Sequence, residues 1–298
     1  IYTNTGETED RIAWSLGAAA GTIISESRDT VLYQFSPADN GVAQLGITDT
    51  KAESIIISVS YGAVTSSAAT PLVVDHASAD SIFVVSGDGQ SAVVDTEVPA
   101  SLVVGVEDPY GNRVGDEPVT FTAVRGGGTV DTDISAPGEQ VVASTGSDGL
   151  AVCESWRLGT ASGTDSDEVE AAISGGGTTA VSFVATALPD EVVSIELTPL
   201  SRSVTVNSTN TQVWATLRDR FGNPVPGEYV TIFFADTPDG SLSEDTSNPN
   251  PTSPVGSGRA GTTDSDGTIS VIYNAPATAG LQDILDAINA AAEDDRIR

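Results

Sequence analysis

The chain has 298 residues, of which 42 are Asp or Glu and 12 are Lys or Arg, for a formal net charge of −30. So anionic a surface argues against nucleic acid and against anionic membranes, both of which need clustered Lys and Arg on the protein side. It favours solubility, self-repulsion that keeps a chain extended, and divalent cations as partners, and it suits salt-rich surroundings in which counterions screen the repulsion.

There is one Cys, one Lys (Lys51) and no Met. A single Cys leaves no internal disulfide and no Cys-based metal site. A chain without Met has no initiator and reads as processed or internal. No run approaches the ~20 apolar residues of a membrane span, and no secretory signal opens the sequence. Apolar residues come in short alternating runs bounded by Gly, Asp, Asn and Pro, the pattern of half-buried strands in sandwiches. The expected fold is therefore all-β.

In chain order, Pro37-Ala-Asp-Asn-Gly-Val42 and the alternating Ser54-Ile-Ile-Ile-Ser-Val-Ser60 are weak copies of features that recur later. They mark an incomplete first unit over residues 1–75. His76, the only histidine, falls in the junction that follows and reads as a solvated linker residue. No nucleophile-elbow sequence accompanies it, so a Ser-His-Asp triad is not expected.

The next phrase, Glu107-Asp-Pro-Tyr-Gly-Asn-Arg-Val114, returns as Arg218-Asp-Arg-Phe-Gly-Asn-Pro-Val225, with Asp108 and Asp219 standing 111 residues apart. Each copy leads into an alternating run, Val119/Phe121/Ala123 and Val230/Ile232/Phe234. A period of that length is a whole small domain rather than a solenoid unit. Complete and nearly complete domains are thus expected over 76–188 and 189–298. In each phrase Gly and Asn are read as positive-φ positions of a tight turn, and the Asp as an acceptor of backbone N–H groups that closes it.

Gly126-Gly-Gly128 and Gly175-Gly-Gly177 lack the Lys-Ser/Thr of a phosphate loop and read as hairpin turns. Cys153, in the alternating run Leu150-Ala-Val-Cys-Glu-Ser-Trp156, reads as a buried core thiol. Thr145-Gly-Ser-Asp-Gly-Leu150 pairs with Thr263-Asp-Ser-Asp-Gly-Thr268. The extra residues between the landmarks of the last copy include Ser247-Asn-Pro-Asn-Pro-Thr-Ser-Pro254, expected to be loop. Asn207-Ser-Thr209 fits a glycosylation acceptor or a simple turn.

Leu281–Ala292 has helical periodicity and composition, yet Asp283–Asn289 overlays Asp167–Ile173 of the preceding copy; strand is preferred, since context overrides propensity in short segments. A last strand equivalent to Ala180–Thr186 is missing after it. The sequence thus reads as a window on a longer array, or as a chain whose sheets are completed by neighbours through strand addition.

Acidic clusters offer oxygen ligands for Ca²⁺. Candidates are Asp131 and Asp133, Asp165 and Asp167 with Glu168, and Asp264 and Asp266. Asp75 and Asp80, then Asp190 and Glu191, sit where they could bridge consecutive domains. None follows the EF-hand spacing, and solvated or backbone-capping turn carboxylates are the competing reading.

The elements Asp-x-x-Gly-Asn-x-Val, Thr-x-Ser-Asp-Gly and Tyr273-x-Ala-Pro-Ala-x-Ala-Gly280 together resemble the bacterial immunoglobulin-like repeats of the invasin and intimin type. The resemblance covers the second and third units well and the first weakly. It implies tandem Ig-like β-sandwiches strung as a stalk, extracellular or on a cell surface, with no enzymatic activity. Partners would then be neighbouring repeats, further copies in a fibre, or a cell-surface ligand met by exposed loops such as 243–262. A ligand-binding adhesin module and a phage fibre or decoration protein are the alternatives.

Overall fold

The computed structural model describes residues 13–17, 19–26, 30–132, 137–175, 179–199, 203–205, 207–209, 211–235, 240–276 and 288–289. Among them the regular elements are strands, with one 3₁₀ turn at Pro37–Asp39.

The middle of the chain is a two-layer sandwich. One sheet runs in the order Gln90–Val93, Val181–Leu188, Gly163–Ile173, Pro118–Arg125, Gln140–Ser144. The facing sheet runs Leu150–Cys153, Leu102–Glu107, Ser81–Ser86. Neighbours pair antiparallel, except Gln90–Val93, which lies parallel to Val181–Leu188. Three strands on one side and the crossing set on the other, in Greek-key order, make an immunoglobulin-like sandwich. The alternation forecast from sequence places Leu102, Val104, Val106, Phe121, Val169 and Phe183 at 0% exposure. Successive side chains of a strand point to opposite faces, so period two becomes one buried face per sheet. Phe121 and Phe183 stack at 6.5 Å between centroids, and Trp156 is buried against the same cluster.

The C-terminal sandwich has its own core of Val213, Ala215, Leu217, Val230, Ile269 and Tyr273 with their neighbours, sharing no residue with the first. Its sheets run Val192–Thr198, Thr211–Asp219, Thr268–Asn274, Ser241–Glu244 and Ser253–Val255, Gly258–Thr262, Tyr229–Ile232, Ile288–Asn289. Ile288–Asn289 pairs antiparallel with Thr231 and Ile232, as the repeat overlay required; the rest of 281–292 lies outside the described residues. The proline-rich stretch is not all loop. Pro254 stands opposite Arg259 on the strand Ser253–Val255 at the edge of its sheet, where a residue without N–H removes no ladder bond.

The N-terminal segment is built differently. Its strands pair two by two: Ala13–Leu16 with Leu45–Thr48, Thr22–Glu26 with Val31–Gln34, Glu53–Ile55 with Leu72–Val74, and Ser58–Tyr61 with Val64–Ser67. Among its described residues no apolar side chain is buried, and Ile56, Val59, Tyr61 and Val64 are all exposed. In the overlay of Ser54–Ser60 on Glu168–Ser174, Ile57 and Val59 hold the positions of Ala171 and Ile173, which are buried in the middle sandwich. The buried group here is Asp39, which accepts from Ala20 N (2.5 Å), Ser36 N (2.7 Å) and the Tyr33 hydroxyl (3.0 Å). These bonds hold its carboxyl below the usual range, the Ala20 bond most of all.

Candidate interdomain joints

The repeated Asp-x-x-Gly-Asn phrase is a turn on the strands Leu102–Glu107 and Thr211–Asp219. The Asp closes it as expected. Asp108 Oδ1 accepts from Tyr110 N and Asn112 N, each at 2.9 Å; Asp219 Oδ1 accepts from Phe221 N (2.9 Å) and Asn223 N (2.8 Å). The glycines take positive φ, +84° at Gly111 and +87° at Gly222. The asparagines do not, contrary to the expectation from sequence. Their backbone is ordinary because their role lies in the side chain.

Asn112 donates from Nδ2 to the Thr50 carbonyl (2.8 Å) and accepts at Oδ1 from Ala52 N (2.9 Å). Asn223 donates to the Thr160 carbonyl (2.8 Å) and accepts from Ser162 N (2.9 Å). Each amide therefore grips a carbonyl and an N–H two residues apart on the end loop of the unit before it. The second Nδ2 proton of each Asn goes to its own Asp, at 2.9 Å for Asp108 and 2.8 Å for Asp219. That bond fixes the amide flip, since a carboxylate can only accept.

The Asp completes the joint by taking the linker. Asp108 Oδ2 accepts from Ala77 N at 2.9 Å, and Asp219 Oδ2 from Asp190 N at 3.0 Å. Both carboxylates are almost fully buried. Burial is the largest single influence and pushes their pKa up; the bonds from the Asn side chain and the backbone N–H groups together outweigh it, so both lie below the ordinary range. One carboxylate and one amide thus tie the turn, the linker and the preceding unit.

A hydroxyl sets the other side of each turn. Thr145 donates to the Val114 carbonyl (2.7 Å) and accepts from Glu117 N (2.9 Å). Thr263 does the same with Val225 (2.9 Å) and Glu228 N (3.0 Å). This explains why the Thr-x-Ser-Asp-Gly landmark travels with the phrase.

His76 is not merely solvated. It is half-buried at the first joint, its Nε2 accepting from Gly115 N at 3.3 Å and its Nδ1 donating to the Ala77 carbonyl at 2.9 Å. At the second joint Arg220 pairs with Asp190 (2.9 Å) and Asp95 (3.5 Å).

The carboxylates proposed as Ca²⁺ ligands sit as follows. Asp131 is buried and its Oδ1 accepts from Thr132 N at 2.6 Å; Asp133 lies outside the described residues. Asp165 and Asp167 are on one strand. Asp167, at 0% exposure, accepts from Gly159 N (2.8 Å) and the Ser166 hydroxyl (2.9 Å), while Glu168 pairs with Arg125 at 3.1 Å. Asp190 is engaged by Arg220, and its Oδ1 accepts from Glu191 N at 2.9 Å. Asp264 closes its turn on Asp266 N (3.0 Å) and Thr268 N (2.9 Å). Asp75 accepts from His76 N at 3.2 Å, and Asp80 N reaches the Glu107 carbonyl at 2.9 Å. Among the described residues no three of the His, Cys, Asp and Glu side chains converge.

Sequence reasoning passed over Asp245. It is buried, and it accepts from Ser247, Gln212 (2.9 Å) and Ser270 (2.8 Å), anchoring the 243–262 connection to the sheet. The signal was present in Asp245-Thr-Ser247, an Asx-turn sequence.

No family model matches the chain, and no curated protein matches it significantly. Solved structures similar to it include domains 4–9 of the surface layer protein SbsC (TM-score 0.29, 14% identity, 93% of this chain and 47% of that one). The Yersinia pseudotuberculosis adhesin InvE is another (TM-score 0.30, 17% identity, 65% of this chain and 51% of that one). A third is trypsin-activated alpha-2-macroglobulin from Escherichia coli (TM-score 0.24, 14% identity, 65% and 13%). The chain spans about half the length of the first two. The immunoglobulin-like character of the sandwiches rests on their own strand order.

Proposed function

We propose that this chain is a structural segment of an extracellular or cell-surface protein, a tandem Ig-like stalk or filament subunit of the invasin and intimin kind. The observation that carries this reading is the joint. Two successive turns make the same three hydrogen bonds to the linker and the end loop of the preceding unit, through an Asp and an Asn held in the same places by a bond between them. A fold that only had to display a pocket would not need its domains tied in a repeated register. The net charge of −30 acts in the same direction, because self-repulsion opposes collapse of consecutive domains onto one another.

Small-angle X-ray scattering on the whole chain tests it. An elongated particle is expected, with a maximum dimension that shortens and a distribution that broadens in the double variant N112A/N223A. A compact particle indifferent to both substitutions would defeat the reading.

A further inference from the structure

The two joints share the Asp–Asn clamp but differ in how their charges pair: Lys51 with Glu53 and Arg113 with Glu107 each pair within one unit at the first joint, whereas Arg220 at the second reaches both the linker and the preceding sandwich. Where the second joint has Arg220 next to its Asp, the first has Pro109. Where the second joint's linker donor is Asp190, the first has Ala77. Both members of the Arg220–Asp190 ion pair are thus replaced together by uncharged residues.

Arg220 touches more than its own linker. Its guanidinium reaches Asp95 at 3.5 Å, on the preceding sandwich, and Asp95 is also held by Arg157 of that sandwich at 2.9 Å. The chain Arg157, Asp95, Arg220, Asp190 alternates in sign across the boundary. The Phe221 ring supports the guanidinium at 4.6 Å, which restricts the rotamers that an exposed Arg otherwise samples. An isolated surface pair contributes little, but a fixed multi-charge network is the exception. Without Arg220, two carboxylates of adjoining units would face each other in a strongly anionic chain.

We propose that Arg220 is a built-in counter-ion that makes the second joint responsive to ionic strength and leaves the first unresponsive. Resting on the stalk reading, it adds a regulated element: the Asn clamp reads backbone groups and is indifferent to salt, whereas the Arg220 bridge is screened as the Debye length falls from about 30 Å at 0.01 M to about 3 Å at 1 M salt. Low salt holds the second joint in one orientation, and high salt frees it to bend about the clamp.

The experiment measures spin-label distance distributions on the full chain. One pair, Ser182→Cys with Ser265→Cys, spans the second joint; the other, Ser54→Cys with Ser147→Cys, spans the first. All four positions are exposed, and Cys153, at 0% exposure, stays unlabelled. The second-joint distribution is expected to widen about twofold between 0.01 M and 1 M salt while the first does not change. R220Q is expected to give the wide distribution at both salt concentrations. An R220Q joint as narrow and as salt-dependent as the wild type would overturn the proposal; if N223A still widened that joint, the stalk reading would survive. Should N223A leave it narrow as well, the joint itself would be refuted and the proposal with it.

Discussion

Asn223 donates its side-chain amide to the Thr160 carbonyl at 2.8 Å, and the residue that holds Asn223 in place is the Asp four positions before it. The bond crosses from one sandwich to another, and its partner is backbone, so the end loop can vary in sequence, Thr50-Lys-Ala52 or Thr160-Ala-Ser162, without loss of the joint.

Removing that amide should loosen the boundary without unfolding either sandwich. In N223A the Thr160 carbonyl and Ser162 N–H lose their partner at an edge that water can reach, at a cost of about 0.5–1.5 kcal/mol for each bond. The expected readout is faster hydrogen exchange at Ser162 N–H, with amides of the two cores unchanged. N112A should act alike on Ala52 N–H.

Acid should weaken the joints through Asp108 and Asp219. Their carboxyls lie below the ordinary range in the folded state. The stability they contribute is therefore complete above the unfolded value of about 4 and is lost as pH falls through the lower folded values. Denaturant melts between pH 6 and pH 2.5 are expected to show this loss, and D108N/D219N to show a smaller slope over the same interval.

The two cores should fail separately. Phe121 is fully buried in the middle cluster, and Phe121→Ala should cost about 3–5 kcal/mol there. Calorimetry is expected to resolve an early transition for the middle sandwich while the later one, from the core around Ile269 and Tyr273, stays where it was.

Cys153 should report on unfolding alone. Burial is the largest influence on its thiol and pushes it up to about 11; the Sγ lies within reach of the Asp131 and Ser155 carbonyls. About one thiol in a thousand is then ionised at pH 8. A thiol reagent is expected to react only at the rate at which the middle sandwich opens; rapid labelling of native protein would contradict the burial.

The strands, the turns and the tandem arrangement were legible in the residues. Alternation at Val119/Phe121/Ala123 and Val230/Ile232/Phe234 needs only the period-two geometry of a strand to become a buried face. Asp108 and Asp219 could be assigned to turn closure because that contact is local, two to four residues away. The role of Asn112 and Asn223 could not. Their partners lie 60 to 63 residues away, and Asn after Gly equally suits a positive-φ turn position, so local propensity pointed to the backbone when the side chain was what mattered. His76 was misread as solvated for the same reason, its acceptor role depending on Gly115, 39 residues on. Sequence determined what each unit is; only the tertiary structure decided how one unit holds the next, because that contact joins groups with no local pattern to announce them.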